Sequence, residues 1–138
     1  MKKCDWSKLQ LALEKLIELK VDVFGFVETN LAWTPEDRQK VKRIISKNTE
    51  KQSKCEMSAS DDPCASSSQP GGSMIGVMGN HVGRVLEADY DRSGLGRWSW
   101  MCLNGKKTKL YIVSAYGCNK RSLTASTRHA HNKRRYCA

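Results

Sequence analysis

The stretch that most constrains the fold of this chain is residues 21–30, VDVFGFVETN. Valines and phenylalanines fill most of its first seven positions, and such a near-continuous apolar run is typical of a strand covered on both faces. The run stops at Glu28, which is followed by Thr29 and Asn30. Ligands of open α/β sheets bind beyond the carboxyl ends of the strands, so Glu28 is well placed to hold a hard cation through oxygen. The simpler alternative is a solvated glutamate in a loop.

The length and charge of the chain limit its class and its partners. It has 138 residues, enough for one domain with a modest core. The formal net charge is +10, and residues 1–69 contain 12 Lys or Arg and 11 Asp or Glu, whereas residues 70–138 contain 12 and 3. This asymmetry favours an anionic partner, nucleic acid or an acidic surface, near the second half. A solubilising basic tail explains the charge equally well.

The cysteine spacing and the N-terminal residues indicate the cellular compartment of the protein. None of the six cysteines forms a C-x-x-C pair, and Met1-Lys2-Lys3 leads into Cys4 rather than into the apolar segment of a signal peptide. We therefore expect reduced thiols in an intracellular protein, with the nucleus as a compatible location. No apolar stretch approaches the ~20 residues that span a bilayer.

Two helices are predicted in the first third. Residues 7–10 fit a capping box and apolar residues then recur at helical spacing, which predicts a first helix to about Lys20. Thr34 is a good N-cap, Pro35 suits the first helical position, and the acids after it favour the positive end of the helix dipole. We expect this second helix to end near Asn48.

The middle of the chain changes character twice. Residues 49–72 are rich in Ser, with charges, Pro and Gly, and predict a flexible loop or insertion. Short strands are then expected at residues 74–78 and 85–90. Trp98, Trp100 and Cys102 alternate with Arg97, Ser99 and Met101, which predicts a half-buried strand in which core packing is the favoured role of the tryptophans.

The last strand and the tail complete the pattern. Asn104-Gly105 is a hairpin-turn signal, in a loop that the lysines after it lengthen, and residues 110–116, LYIVSAY, form a second near-continuous apolar strand that ends in a polar cluster. Residues 120–138 have no periodicity and predict a disordered basic tail. His129 and His131 have a spacing that could bind metal but is more simply incidental in such a tail.

Several short motifs, in order, resemble a known superfamily. A helix leading into a D-V-x-x-x-x-E-T strand is followed by G-G-S-M-I-G-V, an R-W-S-W strand and I-V-S-A-Y-x-x-N. Together they resemble the endonuclease/exonuclease/phosphatase superfamily, and within it the apurinic-type endonuclease domain of non-LTR retrotransposons, over about residues 9–119. The resemblance implies an α/β class, with a partial four-layer sandwich containing a mixed sheet in residues 1–119.

The resemblance also implies a chemistry. It implies hydrolysis of phosphodiester bonds of DNA with Mg²⁺ or Mn²⁺, with Glu28 as the metal-binding carboxylate. Tyr116 matches a tyrosine near the scissile phosphate and Asn119 an asparagine that contacts phosphate. A phenol and an amide can donate hydrogen bonds to a phosphate without adding charge. Taken without the family, Tyr116 is an ordinary strand-end aromatic and Asn119 a turn residue.

The sequence departs from the family pattern in three motifs. The first strand, with a metal-site asparagine, would lie before Met1. The later Asp-x-Asn pair has no counterpart after Asn119, and the S-D-H-like segment with the catalytic histidine is missing. We therefore expect a nuclease fragment that is inactive alone.

Two other functions remain open. The first is a non-catalytic nucleic-acid-binding module in which basic side chains contact phosphates and Trp98 or Trp100 stacks on bases. Its expected basic contacts are Arg84, Arg92, Arg97, Lys120 and Arg121. The second is a degenerate transposon remnant without a selected activity.

Overall fold

The first helix ends in a tight C-cap that leads directly into the first strand. The computed structural model describes residues 6–49, 52–61 and 71–117, and α1 spans Trp6–Glu18. Lys20 adopts a left-handed φ of 56°, and the N–H groups of Lys20 and Val21 donate to the carbonyls of Ile17 and Leu16 at 3.0 and 2.9 Å. These paired bonds are those of a Schellman motif, which turns the chain out of the helix.

The predicted cap of α1 was wrong in its position. The helix already includes Ser7, and the Gln10 side chain donates to the Glu14 carboxylate at 2.9 Å instead of returning to the helix start. On a helix surface, side chains four residues apart are neighbours, so a glutamine can bond the residue at i+4 instead of the helix start. The predicted apolar stripe is confirmed, because Leu13 is fully buried and its helical neighbours pack around it.

The second helix follows its sequence signals closely. Helix α2 spans Pro35–Asn48. The Thr34 hydroxyl accepts from the Asp37 N–H at 3.2 Å, and the Asp37 carboxylate accepts from the Thr34 N–H at 3.0 Å. This reciprocal capping box satisfies two donors that would otherwise be free at the helix start. The apolar face of α2 is buried as predicted: Val41, Ile44 and Ile45.

The first sheet contains three strands in the order β1-β3-β2. Strand β1 is Val23–Val27, β2 is Ser53–Ser58 and β3 is Ser73–Met78. Strand β2 corrects the prediction of a loop over residues 49–72, of which residues 50, 51 and 62–70 lie outside the described part. Its sequence, SKCEMS, is polar, and it becomes a strand because β3 supplies an antiparallel partner along its whole length.

The second sheet is an antiparallel meander in the order β4-β5-β6. A 3-10 helix, Gly79–Arg84, leads into β4, Val85–Tyr90. Strands β5, Trp98–Asn104, and β6, Lys109–Ala115, form a hairpin whose loop is closed by a 2.8 Å bond from the Gly105 N–H to the Thr108 carbonyl. The predicted turn and its lengthened loop are confirmed.

The elements stack in three layers: helices, first sheet and second sheet. One apolar cluster joins α1 and α2 to the first sheet through residues such as Leu13, Ile45 and Met74. A second cluster lies between the sheets and contains Ile75, Val77, Met101 and Leu103. Strand β3 is therefore buried on both of its faces.

The predicted α/β class and partial sandwich are confirmed, with one correction to the sheets. A mixed sheet was expected, but every strand pairing in the described residues is antiparallel. Strand β3 runs opposite to both of its neighbours, and the second sheet is built from consecutive strands with short connections, which join antiparallel neighbours. Neither of the two described helices is long and apolar enough to cross a membrane.

The tryptophans of β5 face away from the core, contrary to the favoured prediction. Ser99, Met101 and Leu103 are buried, and the last two pack between the sheets. Trp98 and Trp100 alternate with them and are only partly buried on the opposite face. Alternation had indicated that one face of the strand is buried, but it was assigned to the wrong face.

Candidate active site at the Glu28 end

One end of the sandwich collects the ends of four strands. Val27 and Ser58, at the ends of β1 and β2, both pair with Ser73 at the start of β3. In the second sheet, β4 and β6 likewise end beside the start of β5. The Ser73 hydroxyl donates to the Ser99 hydroxyl at 3.3 Å across the sheets, so the two starts lie together. We call this the Glu28 end, defined by Glu28, Gly71, Gly72, Asp91 and Tyr116.

The interior becomes polar toward the Glu28 end. Ser73, Ser99 and Ser114 are buried there, whereas the other end of the inter-sheet core is aliphatic. The Ser114 hydroxyl of β6 donates to the Phe26 carbonyl of β1 at 3.0 Å. The predicted neighbourhood of the two apolar strands is therefore confirmed. Each strand ends one residue after this bond, β1 just before Glu28 and β6 just before Tyr116.

The chain after β1 is held in an uncommon conformation. Glu28, Asn30 and Trp33 have left-handed φ values of 53°, 54° and 50°. Non-glycine residues rarely adopt this region, and such strain clusters at ligand-binding and catalytic sites. The hydroxyl oxygen of Thr29 is buried and has no hydrogen-bond partner in the described part of the chain, which is uncommon for a buried polar atom.

Two consecutive glycines bring Tyr116 to this segment. The N–H groups of Thr29 and Asn30 donate to the carbonyls of Gly72 and Gly71 at 3.2 and 2.7 Å. Gly71 and Gly72 have φ values of 83° and 90°, and a Cβ on Gly71 would overlap the Tyr116 hydroxyl. Only glycine combines this backbone with so close an approach. The Tyr116 hydroxyl consequently lies beside the backbone to which the Glu28 segment is bonded.

A buried aspartate, which the sequence reasoning missed, organises the neighbouring loop. The Asp91 carboxylate accepts from the Ser93 hydroxyl at 2.5 Å and from the N–H groups of Ser93 and Arg97, both at 2.9 Å. Burial acts to raise the pKa of Asp91, but these hydrogen bonds outweigh burial and lower it. The signal was present in Asp91-Arg92-Ser93-Gly94, since an aspartate two residues before a serine or glycine often bonds the backbone of its own turn.

The loop after β4 also lines two clefts. A cleft of about 350 Å³ lies between this loop and the start of α2, with Trp33 and Arg38 among its lining residues. A larger one, of about 560 Å³, is lined by Leu95, Arg97 and Trp98 together with residues 89–93. We call the larger one the Trp98 cleft.

The predicted basic contacts do not form one group. Arg92 and Arg97 line the Trp98 cleft. Arg84 lies at the opposite end of β5, where its Nε donates to the Asn104 carbonyl at 2.9 Å. His81, 3.4 Å from Arg84, is at that far end as well. Asn119, Lys120 and Arg121 lie outside the described residues.

The fit of a divalent cation to the Glu28 end is partial. Glu28 is exposed and offers one carboxylate. Within the described residues, no three His, Cys, Asp or Glu side chains are grouped closely enough to hold an ion. Mg²⁺ commonly binds through one or two carboxylates completed by substrate phosphate and water, so Glu28 fits as one ligand of such an ion and not as a complete site.

Comparison with solved structures identifies a protein with a similar fold. The chain is similar to an endonuclease/exonuclease/phosphatase family protein from Leptotrichia buccalis C-1013-b, with a TM-score of 0.56 and 13% sequence identity. The match covers 96% of this chain and 57% of that protein. The shared feature is the fold. At little more than half the neighbour's length, the chain corresponds to part of an endonuclease/exonuclease/phosphatase-type sandwich.

Sequence comparison adds no assignment. No family model matches the chain. No curated protein matches it.

Proposed function

We propose that the Glu28 end binds a phosphodiester of DNA together with Mg²⁺ or Mn²⁺, as part of an endonuclease-type domain resembling those of non-LTR retrotransposons. The observation that carries the proposal is that Gly71–Gly72 accepts hydrogen bonds from the two residues after Glu28, Thr29 and Asn30, and lies against the Tyr116 hydroxyl. Two apolar strands from different sheets end there in polar residues, and the fold is that of part of an endonuclease/exonuclease/phosphatase family protein.

The conformation of the segment supports a binding role. Glu28, Asn30 and Trp33 all have left-handed φ values, and residues held in such sparsely populated backbone regions cluster at active sites and ligand-binding segments. The glycine pair holds the backbone just after Glu28 next to Tyr116, so the two strand ends are held together before a ligand arrives. Such positioning reduces the loss of conformational entropy that accompanies binding and reaction.

The roles of the residues follow from their chemistry. Glu28 would hold the cation, which supplies charge stabilisation to the phosphoryl oxygens. The Tyr116 phenol donates a hydrogen bond to a phosphate oxygen without adding charge. Asp91 keeps the loop beside Tyr116 in place, because its carboxylate is bonded to the N–H of Arg97, and the Arg97 carbonyl accepts from the Tyr116 N–H at 3.1 Å.

We further propose that the chain alone has little or no turnover. Glu28 and Tyr116 can bind and orient a phosphate, but within the described residues neither is matched with a general base that activates water. His81, paired with Asp22 at 3.7 Å, lies at the far end of the sheets and cannot reach the same phosphate. Loss of one member of a catalytic unit commonly removes most of the rate.

Binding of duplex DNA with and without Mg²⁺ tests the proposal. We expect Mg²⁺ to tighten binding by about 5-fold or more, at the lower end of typical couplings between two ligands. Glu28→Gln should abolish this gain because it removes the charge of the only proposed ligand. Glu36→Gln, at the exposed start of α2, is the matched control and should keep it.

Nicking of plasmid and abasic-site DNA completes the test. Little or no product is expected from the wild type with either cation. Robust nicking that disappears in Glu28→Gln contradicts the lack of turnover while supporting the metal role. Equal Mg²⁺ dependence in wild type and Glu28→Gln overturns the assignment of Glu28.

The net charge of +10 favours a second candidate, a non-catalytic nucleic-acid-binding module. Its binding would be strongly salt-dependent and largely independent of sequence, because Lys and Arg contact phosphates rather than bases. Deletion of residues 120–138 should then weaken binding and flatten the salt slope by about one unit for each phosphate that the tail neutralises. An unchanged slope places the basic contacts elsewhere and removes the tail from DNA binding.

A further inference from the structure

The Trp98 cleft adjoins the proposed phosphate position through the backbone. Arg97, which lines the cleft, accepts the hydrogen bond of the Tyr116 N–H, and Trp98 pairs with Ala115 of β6. The Tyr116 hydroxyl is near the cleft as well, because a Cβ on Gly71 would lie within 3.5 Å of both this hydroxyl and the carbonyl of Leu95, which lines the cleft. A phosphate held at the Tyr116 hydroxyl would then have one of its flanking nucleosides next to this cleft. The volume of about 560 Å³ falls within the ~300–1,000 Å³ usual for small-ligand sites.

The two tryptophans of β5 occupy different surroundings although they share one face of the strand. The Trp100 ring lies 5.8 Å from the Tyr111 ring, centre to centre, at an angle of 48°. Trp98 instead lines the cleft, together with Leu95. Trp98 is only half-buried, so part of its ring area is open to a ligand.

The charges of the cleft favour an aromatic group that is itself uncharged. Asp89 and Arg92 form a pair at 3.1 Å and neutralise each other. The Asp91 charge is met by three hydrogen-bond donors from its own loop. The positive charge of Arg97 also helps to lower the pKa of Asp91, so each of the two carboxylates that line the cleft is matched by an arginine. The aromatic and apolar part of the lining consists of Tyr90, Leu95 and the indole of Trp98.

We propose that the Trp98 cleft binds an unstacked nucleobase of the nucleoside that flanks the phosphate at Tyr116, with the base stacked on Trp98. This inference rests on the proposed function and extends it from the phosphate to the base. Every base presents a π-face, so stacking here adds affinity with little sequence preference. It also makes a flexible or single-stranded substrate a better ligand than a regular duplex, because a stacked base must first leave its neighbours.

The test compares a short single-stranded oligothymidylate with an oligonucleotide of equal length and charge whose central sugars carry no base. Wild type should bind the base-containing strand about 5-fold or more tightly, since stacking on one aromatic side chain is worth about 1–3 kcal/mol. Trp98→Ala should lose this preference and bind both strands equally. Trp98→Phe should restore most of it, and Trp100→Ala, the matched control, should keep it.

The results separate this inference from the proposed function. Equal base preference in wild type and Trp98→Ala overturns the cleft assignment while leaving the phosphate site intact. Binding of neither strand by wild type overturns both. Circular dichroism of each variant identifies unfolding, and a folded Trp98→Phe with restored preference supports the cleft even if Trp98→Ala does not fold.

Discussion

The two sheets of the sandwich differ in how much of each is buried. All six residues of β3 in the first sheet are buried, between the helices on one side and the second sheet on the other. In β6 of the second sheet only Ser114 is buried, and Tyr111 and Val113 are 57% and 61% exposed. The first sheet therefore provides most of the apolar burial, whereas the second presents side chains to solvent. This difference explains why the proposed base-binding cleft lies on the second sheet.

The largest effect expected from this difference concerns apolar truncation. Met74→Ala, in the centre of the first sheet, should lower the free energy of unfolding by about 2–5 kcal/mol, because it removes a fully buried side chain and leaves a cavity. Val113→Ala, on the exposed face of the second sheet, should change it by less than about 0.5 kcal/mol. Urea denaturation measures both. Similar losses in the two variants would show that the outer face of the second sheet is covered in solution.

A smaller effect is expected where the second sheet depends on a charged group. The pKa of Asp91 is lowered in the fold, because its hydrogen bonds to Ser93 and Arg97 outweigh the effect of burial. Asp91→Asn should destabilise the protein at pH 6–7 by about 1.5–3 kcal/mol, the range for hydrogen bonds to a charged group.

The stability difference between wild type and Asp91→Asn should depend on pH in a defined direction. A carboxylate with a lowered folded pKa stabilises the fold above its unfolded pKa of about 3.9, and the contribution is lost as the pH falls through the folded value. The difference between wild type and Asp91→Asn should therefore shrink below about pH 4 in denaturant titrations. A difference that stays constant down to pH 2–3 would assign the loss to side-chain packing. Asp89→Asn, on the exposed surface, is the control and should have a smaller effect.

The smallest effect concerns the helical layer that covers the first sheet alone. Thr34→Ala removes the acceptor of the capping box and should lower the stability by about 1 kcal/mol. The control, Thr108→Ala in the exposed hairpin of the second sheet, keeps its backbone bond to Gly105 and should be nearly neutral. Thermal unfolding compares the two. Equal shifts in the midpoint would mean that the hairpin side chain contributes as much as the cap.

The sequence by itself determined the features that depend on neighbouring residues in the chain. The start of α2 at Thr34, the hairpin at Asn104-Gly105 and the apolar strands that end before Glu28 and Tyr116 all appear as predicted. Caps and turns form between residues a few positions apart. A long apolar run favours a buried strand over a solvent-exposed loop. Their physical causes are therefore written in short stretches of sequence.

Only the tertiary structure decided the features that need a partner from elsewhere in the chain. Strand β2 exists because β3 offers it a backbone ladder, and its polar sequence gave no sign of this. The period of two along β5 divided its side chains into two faces, but only packing of the second sheet against the first decided that Met101 points inward and Trp98 outward. The antiparallel pairing of β4 with β5 separated Arg84 from Arg97 by the length of a strand. An alternating sequence shows that the two faces of a strand differ. Which of the two faces packs into the core depends on the layer that covers it.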